Sequence, residues 1–281
     1  MVKALKKHWP EYLMEGAELA MFMISASLVT ILLYHPASPL AQAIHSELFR
    51  RLLTGLAMGL TLVAIVYSPW GKQSGAHMNP AFTLTFFRLG KVAPWDAFFY
   101  VVAQFAGGVL GILVVVAGAA SSMADPSVNY VVTLPGPAGV QVAFVAEAAI
   151  SFLLFTVVLI FTNQSARVAR WTGVVAGFCV SAFITFESPL SGMSMNPART
   201  FGSAVIPQLW TALWIYFTAP LLGMLLAAEL FTLIKARIAC AKYHHQNHFR
   251  CIFCEYQASR QSQEDRGELV EAKPAVAKLR L

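Results

Sequence analysis

The chain has 281 residues, of which 57% are apolar and only 12% charged. A soluble domain of this size needs far more polar surface, so the composition points to an integral membrane protein. The formal net charge of +6 does not mark a nucleic-acid binder, because the basic residues sit between apolar runs, where they report orientation in a bilayer.

Stretches without Asp, Glu, Lys or Arg run over 19–46, 52–71, 97–124, 148–166, 171–186 and 200–228. Crossing a bilayer takes roughly 20 apolar residues, so six spans are expected, some with loop attached. The fifth is short and is expected to start near Val168. The first apolar run is too long for a secretory signal and has no small-residue cleavage site. Lys3, Lys6 and Lys7 precede the first span. Lys72, Arg88 and Lys91 lie between the second and third, and Arg167 and Arg170 between the fourth and fifth. More basic residues follow the sixth, whereas 120–140 has no Lys or Arg. The positive-inside rule then puts both termini in the cytoplasm of a cell (plasma or inner) membrane. Arg50 and Arg51 are the exception.

A repeat runs through these spans. "SGAHMNPAFTL" (74–84) and "SGMSMNPARTF" (191–201) agree at seven of eleven positions. Each copy follows the second span of a three-span half, and each half opens with an acid in an apolar helix, Glu18 in one and Glu147 in the other. Three spans per half is odd, so the second half enters the membrane in the opposite sense. Inverted repeats of this kind place their site near the midplane. The halves fall at about 8–120 and 140–238, within a channel-like unit spanning 1–238. A secondary active transporter can show the same symmetry, but it needs coupling groups, and the deep acids here are the two symmetric glutamates.

Asn is a preferred helix N-cap, and Pro suits the first helical position because its missing N–H would be unbonded there. Asn79-Pro80-Ala81 and Asn196-Pro197-Ala198 therefore read as loops that enter the bilayer and start half-helices. The first runs from about Pro80 to Leu89, or about 15 Å at 1.5 Å per residue, half of a 30 Å hydrocarbon core. Two helix N-termini, each with about half a positive charge, then face one spot. If each Asn caps with its side-chain oxygen, its NH₂ is expected to face the cavity and hold the oxygen of a passing water. That arrangement suits a neutral solute and opposes protons and cations. Arg199 falls about 4.5 Å outward of Asn196 and adds a fixed charge with five donors. Its counterpart in the first repeat is Phe82. An ion pair with Glu187 or a loop acid is its alternative role.

On this double motif the chain closely resembles the aquaporins, the major intrinsic protein family, over about residues 8–238. The resemblance implies an all-α fold of six tilted helices plus two re-entrant half-helices, a pore in every subunit and a homotetramer. It implies no cofactor and no enzymatic activity. It also implies a four-membered selectivity ring which, carried over by position, consists of Met58, Ile184, Met193 and Arg199. Strict water channels of the family have an aromatic where Met58 stands and a histidine where Ile184 stands. An apolar, adaptable ring is expected to pass water and also glycerol, urea-like amides, peroxide, ammonia or undissociated metalloid acids. Thr200 departs from the Asn-Pro-Ala-Arg-Asp pattern of the glycerol-selective branch. Glu18 and Glu147 are expected to accept backbone N–H bonds from the re-entrant loop of their own half. His77 is expected to be a bonded loop histidine at the inner vestibule, and Cys179 to serve helix packing.

Composition changes after about Ala239, and 239–281 reads as a cytoplasmic tail with a disordered distal part. His244, His245, His248, Cys251 and Cys254 crowd into a few residues. His-x-x-Cys-x-x-Cys spacing suggests a zinc site on His244, His248, Cys251 and Cys254, although the usual second ligand pair at a loop's distance is missing. A polybasic juxtamembrane segment is the alternative.

Overall fold

A computed structural model describes residues 1–234 and 238–256. The expected disorder beyond Ser259 lies outside the described residues. Among those described, the secondary structure is entirely helical. Six helices cross the molecule: α1 (Val2–Tyr34), α2 (Glu47–Tyr67), α4 (Pro94–Ala124), α5 (Val140–Thr162), α6 (Thr172–Phe186) and α8 (Leu213–Ile234). The half-helices are α3 (Pro80–Arg88) and α7 (Pro197–Val205). Five of the six crossing helices are long and apolar enough to span a membrane. The exception is α6, with 15 residues. It starts at Thr172 rather than near Val168, because a separate turn, Ala166–Ala169, intervenes.

The packing follows the repeat. α1 lies along α4 as α5 lies along α8, and α1 touches α2 as α5 touches α6. Each half-helix also crosses over, α3 onto α8 and α7 onto α4. The repeats therefore complete each other's walls, and neither is a closed unit by itself. Large apolar side chains such as Leu60, Phe178 and Leu233 remain exposed on the outer faces, as a chain solvated by lipid requires.

The two repeats meet where α2 crosses α6. A Cβ built on Gly59 would lie 2.4 Å from the Gly177 carbonyl oxygen, and one on Gly177 would lie 2.7 Å from that of Gly59. Small residues allow backbones this close inside a bilayer, where helix association rests on van der Waals contact rather than on the hydrophobic effect. Gly59→Val should force the crossing apart at a cost of about 1–3 kcal/mol, the usual range for overpacking. The measurement is the thermal unfolding midpoint in detergent, which should fall by several degrees while an exposed change such as Leu60→Val leaves it in place.

Candidate functional site

Both half-helices start as the sequence dictates. The Asn79 Oδ1 accepts from Ala81 N at 2.9 Å. The Asn196 Oδ1 accepts from Ala198 N at 3.0 Å and Arg199 N at 3.2 Å. The amide nitrogens depart from expectation, since they do not simply face the cavity. The Asn79 Nδ2 donates to the Met195 carbonyl and the Asn196 Nδ2 donates to the Met78 carbonyl, each at 2.7 Å. Each asparagine thus caps its own helix and clamps the opposite loop. An amide NH₂ has two hydrogens, so one per asparagine remains for the cavity that both residues line.

The loops leading to the caps share an unusual backbone. Ala76 and Met78 have φ of 57° and 49°, and Met193 and Met195 have 51° and 54°. Left-handed geometry costs an L-residue about 1–2 kcal/mol, and buried carboxylates offset it. Glu147 accepts from Ser194 N at 2.6 Å, Met195 N at 2.7 Å and the Ser191 hydroxyl at 2.8 Å. That is its expected role. In the first repeat the work is divided, and the expectation for Glu18 is corrected. Glu18 takes the Ser74 hydroxyl, at 2.9 Å, while the backbone of His77 and Met78 donates to Glu15, at 2.8 and 2.6 Å. Glu15 lies one turn closer to the N-terminus and also receives the Gln104 amide. A tyrosine from the last span of each repeat completes the support: Tyr100 donates to Ser74 O at 2.8 Å and Tyr216 to Ser191 O at 2.7 Å.

This geometry decides what lines the lumen. A trans peptide points its N–H and the preceding C=O in opposite directions. Turning these N–H groups toward the glutamates therefore turns the carbonyls of Ala76, His77, Met193 and Ser194 away from them. His77, Met193 and Ser194 line a cavity of about 430 Å³. The cavity has a row of backbone acceptors and two asparagine donors. Its lining, among the described residues, includes no Asp or Glu; Glu15, Glu18 and Glu147 are turned instead toward the loops they hold.

Met58, Ile184, Met193 and Arg199 all line this cavity. Arg199 Nη1 donates to the Thr133 hydroxyl, in the loop between α4 and α5. Among the described residues no carboxylate forms an ion pair with Arg199, so the Glu187 alternative is not realised. His77 is bonded, as expected: Nδ1 lies 3.0 Å from the Thr83 hydroxyl and Nε2 2.7 Å from Ala241 O. Cys179 packs, partly buried, against the core.

The Ala241 contact belongs to the tail, which folds back under the bundle. The expected metal set is corrected here. Cys251 and Cys254 do come together, but with Cys240 and His245, all four ligand atoms lying within 4.8 Å of one another. His244 packs instead on the Tyr67 ring and His248 on the Phe249 ring. The neighbouring Cys240 sulfur pulls the Cys251 thiol far below the usual cysteine range.

The sequence profile described as major intrinsic protein matches residues 8–231. A probable aquaporin of NIP type from Nicotiana alata is 34% identical over 181 residues, 63% of this chain and 64% of that one. Aquaporin NIP6-1 of Arabidopsis thaliana is 35% identical over 177 residues, covering 63% and 56% respectively. The chain thus spans less than two thirds of the length of these relatives. The crystal structure of the aquaglyceroporin from Plasmodium falciparum superimposes with a TM-score of 0.66 at 16% identity, over 82% of this chain and 98% of that one. At that identity the likeness concerns the fold.

Glu147→Gln keeps the shape but replaces one acceptor oxygen with a donor that meets a loop N–H. Hydrogen bonds to a charged group contribute about 1.5–3 kcal/mol each. The variant should therefore lose about that much stability, read as a lower unfolding midpoint in detergent. Val145→Ala, on the same helix but exposed on its outer face, should leave the midpoint in place.

Proposed function

Because the chain belongs to the major intrinsic protein family, we propose that it is a passive membrane channel for water and other small neutral solutes. The observation that carries this reading is the reciprocal asparagine clamp. It sets two helix N-termini against one cavity lined also by the re-entrant loops, by Arg199 and Arg51, and by hydroxyl side chains such as Thr30, Thr54 and Ser127. A water passing the asparagines has its oxygen held by donors and its hydrogens turned toward the carbonyl rows. That orientation breaks a chain of proton transfer, and the helix dipoles and the guanidinium oppose cations.

In this reading Met58, Ile184, Met193 and Arg199 form the selectivity ring. Three sides are apolar and two of those are flexible methionines, so the ring passes solutes larger than water. Glycerol, amides, peroxide, ammonia and undissociated metalloid acids fit that description, with Thr200 setting the chain apart from a dedicated glycerol channel. The distribution of basic residues supports both termini lying in the cytoplasm, and the membrane proposed is a plasma or inner cell membrane. The family resemblance supports assembly as a homotetramer in the bilayer.

Removing the Arg199 charge takes away a repulsion of about 2 kcal/mol on a cation about 8 Å off, at an effective dielectric constant of 20. Arg199→Val should then raise proton or cation leak about 30-fold with water flux retained; an unchanged leak would contradict the electrostatic role. Ile184→His narrows the ring and adds a polar side. It should lower the ratio of glycerol to water permeability in stopped-flow swelling several-fold. A ratio of zero in the unsubstituted protein would contradict the wide ring.

A further inference from the structure

We propose that Cys240, His245, Cys251 and Cys254 form a four-coordinate site for zinc or a similarly soft transition-metal ion, and that the ion holds the tail as a plug in the adjacent mouth of the pore. The second half rests on the channel reading given above; the first does not.

The ligands come as two pairs, Cys240-x4-His245 and Cys251-x2-Cys254. The Cys240 sulfur lies 3.5 Å from that of Cys251 and 3.6 Å from that of Cys254, which lies 3.5 Å from the His245 Nε2. A tetrahedral zinc with bonds of about 2.3 Å to sulfur and 2.0–2.1 Å to nitrogen has edges of about 3.8 Å between sulfurs and about 3.5 Å between sulfur and nitrogen. The four atoms already stand near those corners. Three cysteines and one histidine make a closed structural site with no open position for a substrate, and thiolates select soft ions over magnesium or calcium. Three thiolates around a divalent ion leave one net negative charge. Buried Lys242, 1% exposed, lies within electrostatic reach of all three sulfurs. Its Nζ donates to the carbonyls of Lys72 and Arg250, which anchors the cation beside the cluster and ties the tail to the loop after α2.

The segments between the ligands pack against the first re-entrant loop, and one of them reaches the cavity. Tyr243, between Cys240 and His245, lines the tail-side end of the 430 Å³ cavity together with His77 and Asn79. Its ring stacks on Phe82 with centroids 4.8 Å apart and planes at 9°. Phe253, between Cys251 and Cys254, is fully buried and stacks on His77 at 5.2 Å and 5°. Ala241 O accepts from His77 Nε2, and Tyr243 N donates to Gly75 O at 3.4 Å. Fixing the ligands closes both segments, and their tips are the two aromatic rings set against the first re-entrant loop. Because metal-binding free energy in such a site is folding free energy, removing the ion loosens the rings and opens the mouth.

The test uses the full-length chain purified under reducing conditions, with metal content measured per chain and water flux measured in proteoliposomes with zinc or with a chelator. Expected are one zinc per chain, cobalt replacement giving the charge-transfer and ligand-field bands of tetrahedral thiolate coordination, and a several-fold rise in flux on chelation. Cys251→Ser with Cys254→Ser should lose the metal and conduct at the chelated rate. Tyr243→Ala should keep the metal and conduct at that rate with zinc present. Absence of bound metal from the unsubstituted protein would overturn the site. Bound metal with flux indifferent to chelation would overturn the plug. Bound metal with no flux above empty vesicles, in the chelated protein and in Tyr243→Ala alike, would overturn the channel reading and the gating with it, while the metal site would stand on its content and spectra.

Discussion

The structure depends on a pair of side-chain amides that each bond in two directions. Asn79 and Asn196 accept from the first turns of their own half-helices and donate to the carbonyl just before the other asparagine. No other residue type of this size can do both. An aspartate lacks the donor, and a serine offers one hydroxyl at shorter reach. The clamp explains why two half-length helices, each leaving unbonded N–H groups at its start, are stable inside lipid. It also explains why neither repeat is complete alone.

Around this junction the symmetry is close. Glutamates receive the loop N–H groups, Tyr100 and Tyr216 hold the serine carbonyls, and residues at equivalent positions take left-handed backbone. His77 meets the Thr83 hydroxyl as Ser194 meets that of Thr200. Function resides in the departures. In the second repeat Arg199 stands where the first has Phe82, and it is held by Thr133. In the first repeat His77 and Phe82 present aromatic faces to the tail, which the smaller Ser194 and the charged Arg199 do not offer. On the proposed reading, one loop serves as a filter and the other as a docking surface.

Much of this was legible from residue order. Apolar run lengths gave the spans, and the repeated Asn-Pro-Ala gave the half-helices and the inversion, because capping chemistry is local. What was not legible depended on rotation and distance. Glu15 reads as part of a polar helix start, and only the azimuth of α1 turns it rather than Glu18 toward the His77 and Met78 amides. The direction of the asparagine NH₂ groups needed the opposing loop in place. Thr133 carries no signal in a plain loop. In the tail, spacing found Cys251 and Cys254, but the turn of the backbone decides which of two adjacent histidines faces them. Cys240 stands at the very start of the tail, outside the reach of the His-x-x-Cys-x-x-Cys spacing, so the second ligand pair was missed. The signal that could have found it is the Cys-x4-His pair itself.

The direct test of the clamp is a double-mutant cycle on Asn79→Ala and Asn196→Ala, followed by unfolding in mixed micelles. If the two side chains brace one junction from both sides, the pair should be strongly non-additive, with a coupling of about 0.5–3 kcal/mol, the range for residues in one hydrogen-bonded network. Effects that simply add would mean that the two loops are held independently, and would contradict the account.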